Sequence, residues 1–104
     1  MLLKKGAKGN DVKAVQIGLR ILCCYGGELD GVFGNGMEAG VLKFQKIYGL
    51  SHDGIVGNDT WDSLKEELGS LQRALKKKGF YQGVADGYPK ESTLEAVKRF
   101  QKKY

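Results

Sequence analysis

VQIGLRILCCYGGELDGVFGNGMEAGVLKFQK, residues 15–46, aligns without a gap on LQRALKKKGFYQGVADGYPKESTLEAVKRFQK, residues 71–102, at a constant offset of 56. Ten of the 32 aligned pairs are identical: Gln16/Gln72, Leu19/Leu75, Tyr25/Tyr81, Gly27/Gly83, Asp30/Asp86, Gly31/Gly87, Val41/Val97, Phe44/Phe100, Gln45/Gln101 and Lys46/Lys102. A gapless repeat of this length reads as a duplicated helix–loop–helix unit. The shared residues are turn formers and packing residues more than reactive groups, which points to a recognition module.

Working outward from the repeat, apolar residues recur at helical spacing between glycine-rich loops. Val12, Val15, Leu19 and Leu22 mark a first helix, with Asn10 or Asp11 as its cap and Gly26-Gly27 beyond its end. Asn35 or Gly36 starts a second, with Met37, Val41, Phe44 and Ile47 or Tyr48 on one face and Gly49 closing it. Asn58 caps a third, with Trp61, Leu64 and Leu68 inward. Gly69-Ser70 either separates a fourth helix around Leu71 and Leu75 or mildly interrupts one long helix. Ser92-x-x-Glu95 reads as a capping box for a last helix carrying Leu94, Val97 and Phe100. The expected fold is all-α: a three-helix unit over residues 1–68 and a two-helix partial repeat over 69–104, about five helices in all. The partial repeat packs either on the first unit or on a second chain.

Composition narrows the function classes. The 104 residues are 41% hydrophobic, and no stretch approaches a membrane span. Met1-Leu2-Leu3 runs straight into Lys4-Lys5, with neither the apolar centre nor the cleavage site of a leader. The net charge of +5 favours polyanions without choosing among nucleic acid, anionic lipid and acidic wall polymers. Much of the excess lies in Lys76-Lys77-Lys78, Lys98-Arg99 and Lys102-Lys103, and a solvated helix face accounts for it as well. The two cysteines, Cys23 and Cys24, are adjacent and so do not form a disulfide framework.

Taken in order, Gly6-x-x-Gly9-x-Asp11-Val12-x-x-Val15-Gln16-x-x-Leu19, then Asp30-Gly31-Val32-Phe33-Gly34, then Val41-x-x-Phe44-Gln45, and last Gly49-Leu50-x-x-Asp53-Gly54-Ile55-Val56-Gly57-x-x-Thr60-Trp61-x-x-Leu64 form one motif set. It resembles the peptidoglycan-binding domain 1 family, the small three-helix wall-binding modules of bacterial and phage lytic enzymes. The resemblance covers residues 2–68, with 69–104 as an incomplete copy lacking a counterpart of Asp53–Leu68. Two departures stand out. Met37 and Glu38 replace the family's usual threonine, which Thr93 keeps in the copy. Cys23 replaces a helix-ending glycine, which Gly79 keeps.

The resemblance implies a non-catalytic module that brings a lytic enzyme to peptidoglycan, with the catalytic domain elsewhere in a parent protein. It implies action at the bacterial wall; without a leader, the chain is made in the cytoplasm and exported with its parent or released at lysis. Asp30, Asp53 and Asp86 read first as turn residues, Gln45 and Gln101 as bonding loop backbone, and Trp61, Phe44 and Phe100 as core. For ligand contact, Tyr25, Asn35, Tyr48 and Asp53 are the candidates, lining a shallow groove between two loops.

Enzyme readings find little support in the residues. A cysteine peptidase would need Cys23 or Cys24 beside His52 and a third orienting group, and no such context exists in the sequence. Glu28, Asp30, Glu38 and Asp53 supply carboxylates, but the chain is too small to wrap a sugar cleft around them. One histidine and two adjacent cysteines do not make a zinc site, so neither metal nor cofactor is expected, and the glycines lack a phosphate-binding context. The main alternative function is an assembly domain that dimerises through the partial repeat; nucleic-acid binding through the basic last helix stands third. The expected partners are peptidoglycan or an associated wall polymer and a lytic catalytic domain, with no membrane.

Overall fold

The computed structural model describes residues 2–103. Met1, the first residue of the stretch weighed above as a leader, lies outside them, as does Tyr104. Four helices form: α1 (Asn10–Ile21), α2 (Asn35–Ile47), α3 (Asn58–Lys77) and α4 (Glu91–Lys103). The class is all-α, as expected, but the helix count is four rather than about five. Gly69-Ser70 lies inside the 20-residue α3, whose buried stripe runs unbroken through Leu64, Leu68, Gln72 and Leu75. A single helical glycine costs about 1 kcal/mol, too little to break a helix held by such a stripe.

The helix ends repeat one device. Cys23, Gly49 and Gly79 all take positive φ, at 63°, 70° and 82°. Just beyond each, a backbone N–H reaches five residues back: Cys24 to Leu19 at 2.7 Å, Leu50 to Gln45 at 2.8 Å and Phe80 to Leu75 at 2.8 Å. This is the Schellman closure, which satisfies carbonyls the helix leaves open. Cys23 thus does a glycine's job at the place where the sequence departs from the family it resembles.

The starts of α1, α3 and α4 differ from expectation. Gly9, Gly34 and Gly57 occupy the cap positions of α1, α2 and α3, so none of these caps offers a side-chain bond. Asn10 and Asn58 are first helical residues rather than caps, while Asn35 opens α2 as expected. At α4 the Lys90 carbonyl accepts from the Thr93 and Leu94 amides at 3.1 and 3.2 Å, so Ser92 is inside the helix rather than capping it.

The main core joins Val12, Val15 and Leu19 of α1 to Met37, Val41 and Phe44 of α2 and to Leu64 and Leu68 of α3, with Leu94 of α4 completing it. A smaller cluster of Leu75, Tyr81 and Ala96 supports α4. Helix α4 packs on α1 and α3 of the same chain. The N-terminal arm ties the loops together: Leu3 exchanges backbone bonds with Val56 at 2.9 and 2.8 Å, Ala7 accepts from Phe33, and Gly9 donates to Gly31.

Two expected core residues are less buried than their spacing suggested. Phe44 is fully enclosed, but Trp61 is only partly buried and meets the exposed Tyr88 edge to face, with ring centres 5.7 Å apart. Phe100 is likewise half-buried, edge-on to Phe80 at 5.4 Å. Among the described residues the second unit has no third helix to cover Phe100.

Candidate functional site

Three loops between helices are built alike, each around a buried glutamine. In the first, the Gly31 amide donates to Gln16 Oε1 at 2.9 Å, while Gln16 Nε2 donates to Asp30 Oδ1 and the Val32 carbonyl, both at 3.0 Å. In the second, Gly54 donates to Gln45 Oε1 at 3.0 Å, and Gln45 Nε2 reaches Asp53 Oδ1, the Ile55 carbonyl and Thr60 Oγ1. In the third, Gly87 donates to Gln72 Oε1 at 2.8 Å, and Gln72 Nε2 reaches the Tyr88 carbonyl and Thr93 Oγ1. The repeat is therefore threefold at the level of loops, although the sequence alignment shows it twice. Met37 stands where Thr60 and Thr93 bond the glutamine in the other two clamps, so the first clamp lacks the hydroxyl partner. Gln45 takes its expected role. Gln101 does not: it is exposed, and Gln16 and Gln72 do the work instead. Their identity across the repeat was the signal for this.

Each Asp-Gly turn is also closed locally. Asp30, Asp53 and Asp86 accept through Oδ1 from the amides of Val32, Ile55 and Tyr88 at 2.9–3.0 Å. These backbone donors hold all three carboxyls below the usual carboxylate range, helped by Gln16 at Asp30 and Gln45 at Asp53. A general acid in glycoside cleavage needs the opposite shift. Burial pushes the Cys24 thiol up, which disfavours the nucleophilic thiolate.

Of the four residues expected to contact ligand, Asn35 and Tyr48 lie at opposite ends of α2. Tyr25 donates its hydroxyl to the Glu28 carbonyl at 2.8 Å and lies so close over Gly27 that a Cβ there would come within 2.5 Å of it. Tyr81 repeats the arrangement, donating to the Val84 carbonyl at 2.9 Å over Gly83. This explains why Tyr and Gly are both identical across the repeat. Tyr25 packs against Gly36 and Gly40 of α2, close to Asn35, the exposed first residue of that helix. Tyr48 follows the other end of α2 and stacks on Phe44 with ring centres 4.5 Å apart. The 13 helical residues between them span about 20 Å. Asn35 and Tyr48 therefore do not share one groove, whereas the Asp53-Gly54 turn lies against Glu38 and Leu42 of the same helix.

Of the four, Asp53 alone lines the pocket at the start of α3, a surface concavity of about 380 Å³. Ser51, Asn58, Asp59 and Thr60 add hydroxyl, amide and carboxylate groups there, and Leu2, Leu50 and Ile55 supply an apolar side. The last turn before α3 and the first turn of the helix thus bring together the group types that bind sugars and peptides. Ser51, Asn58 and Asp59 were not legible as site residues, because their convergence depends on the loop closing over Gln45 and on Leu2 arriving from the N-terminal arm. Among the described residues, no three His, Cys, Asp or Glu side chains gather as a metal site.

Comparison with known proteins places this architecture. The chain matches the family described as "Putative peptidoglycan binding domain" over residues 8–64 and again over 65–104. It is 40% identical over 63 residues to a spore cortex-lytic enzyme of Oceanobacillus iheyensis, covering 61% of this chain and 23% of that protein. It is 41% identical over 89 residues to the N-acetylmuramoyl-L-alanine amidase CwlM of Mycobacterium tuberculosis, covering 65% of this chain and 22% of that one. Among solved structures, the SleB N-terminal domain superimposes with a TM-score of 0.63 at 36% identity, covering 64% of this chain and 92% of that domain. The chain spans less than a quarter of the length of these two curated relatives. With both segments matched, the three clamped loops and the helix order identify the chain as a member of the peptidoglycan-binding domain family.

Proposed function

We propose that the chain is a non-catalytic wall-binding module of a peptidoglycan-lytic enzyme, and that the pocket at the start of α3 contacts the glycan or its stem peptide. The observation that carries the reading is the family match over both segments, joined to a polar pocket on the complete first unit. The cortex-lytic and amidase relatives carry the matching segment as a minor part of longer chains. Tethering of that kind raises the local concentration of a catalytic domain at an insoluble substrate without any new chemistry. Asp30 and Asp53, two of the four candidate carboxyls, close turns and are held low, which also supports a binding role. No described helix is long and apolar enough to cross a membrane.

Pull-down on purified sacculi, with and without their anionic wall polymers and across a salt series, tests the reading. Binding to bare sacculi that survives moderate salt is expected. Ser51→Trp, which fills the pocket from an exposed position, should abolish it, whereas Asn35→Ala should leave it intact. Retention that disappears with the anionic polymers would mean that charge, not the pocket, does the binding.

A further inference from the structure

The second unit carries a groove that its counterpart in the first unit has filled. Beside Ile21 at the end of α1, Leu71, Ala74 and Leu75 of α3 and Val97, Phe100 and Gln101 of α4 line a concavity of about 270 Å³; the last six belong to the second unit. Shifted by 56, these residues are Val15, Gly18, Leu19, Val41, Phe44 and Gln45. In the first unit that surface is covered by the start of α3. Leu64 and Leu68 close on Gly18 so tightly that a Cβ there would lie 3.1 Å from each, and Val15, Leu19, Val41 and Phe44 share their core. Gln45 clamps the Asp53-Gly54 turn and Thr60 that lead into the same helix. Ala74 and Gln101, the matching positions of the second unit, are exposed.

Charge specifies what would fit. Residues 69–104 hold nine Lys and Arg against three Asp and Glu, a net of +6, whereas residues 1–68 hold eight against nine, a net of −1. Lys78 lines the groove, and Lys76, Lys77, Lys102 and Lys103 are exposed nearby in sequence. A second copy would bring the same positive rim against this one. The helix that fills the corresponding groove in the first unit is instead acidic, with Asp59, Asp62, Glu66 and Glu67 around Leu64 and Leu68.

From this template we infer that the second unit is a receptor for an acidic amphipathic helix of a partner protein, one led by an Asp-Gly turn and bearing leucines four residues apart. That helix would supply the missing third helix of the repeat, its apolar face on Leu71, Val97 and Phe100 and its turn on Gln101. Acidic flanks against the basic rim favour encounter and orientation, and the leucines supply the buried contact.

The probe is a synthetic peptide of residues 49–69 of this chain, titrated into the full chain by calorimetry. The expected result is one peptide bound per chain, weakening as salt rises. Ala74→Trp plugs the groove from an exposed position and should weaken binding at least about tenfold, with unchanged circular dichroism showing that the variant is folded. Gln101→Ala should weaken it about fivefold, the worth of one typical hydrogen bond. A peptide with Asp62, Glu66 and Glu67 changed to lysine should bind less tightly. No binding, or equal binding to Ala74→Trp, overturns the proposal. So does a concentration-dependent dimer that Ala74→Trp abolishes, which would make a second copy the occupant. Displacement of the peptide by inorganic polyphosphate with equal binding of the lysine-changed peptide would overturn it in favour of a wall polymer.

Discussion

Residues 2–68 and 69–103 share their local construction and differ in what surrounds it. Both units close a helix with a left-handed residue, fold a tyrosine over a glycine and clamp an Asp-Gly turn with a buried glutamine. The first unit adds an arm that pairs with two loops and a third helix over its apolar face. The second borrows support from α1 through Leu94 and is left with a small cluster of its own. Identical residues therefore behave differently: Phe44 is sealed while Phe100 is half-buried, and Gln45 makes four bonds while Gln101 is exposed. Local motifs repeat with the sequence, but burial is a property of the neighbours that each copy acquires.

The largest test of this contrast lies at the join between the units. A Cβ on Gly87 would sit 2.2 Å from the Lys65 carbonyl oxygen, and its φ of 78° already disfavours side chains. Gly87→Ala should cost about 4 kcal/mol in urea unfolding, from backbone clash and strain together. Gly79→Ala, with φ of 82° and open space, should cost about 1 kcal/mol, the strain alone. Equal effects would mean that the third loop does not press on α3.

Next in size is the pair Gln45 and Gln101. Gln45→Ala removes the partner of a buried amide, a carbonyl and a hydroxyl, and should cost about 3 kcal/mol. Gln101→Ala should fall within about 0.5 kcal/mol, as exposed changes do. Similar losses at both would show that the second unit is completed in solution.

Cys23 offers a smaller test of opposite sign. Glycine suits φ of 63° better than cysteine, and the equivalent Gly79 shows the same geometry. Cys23→Gly should stabilise by about 1 kcal/mol, read as a raised urea midpoint with unchanged slope.

The finest test is pH. Asp30, Asp53 and Asp86 are held below their ordinary values by backbone donors in the folded chain. The native state therefore binds their protons less readily than the unfolded chain does. The stability they contribute is complete above about pH 4 and is lost as pH falls through the lowered values. Asp53→Asn should flatten that decline in acid unfolding curves; an unchanged slope would remove the second turn from the account.

By itself the sequence determined the all-α class, the repeat, the Asp-Gly turns and the family, while the left-handed closing role of Cys23 came only with the structure. The turns are written within a few consecutive residues, where φ preference and side-chain reach act, and the class, repeat and family in periodicity and spacing along the chain. Tertiary structure decided the rest. Gly69 stays helical because Leu64, Leu68, Gln72 and Leu75 bury one continuous stripe, while the Gly87 backbone lies within 3.6 Å of where its Cβ would be. Trp61 meets Tyr88 near the surface because the loop that carries Tyr88 folds back on α3. The pocket exists because Leu2 arrives beside Ser51, Asp53 and Asn58. Which distant segments meet depends on packing over the whole chain, and no short window of sequence records it.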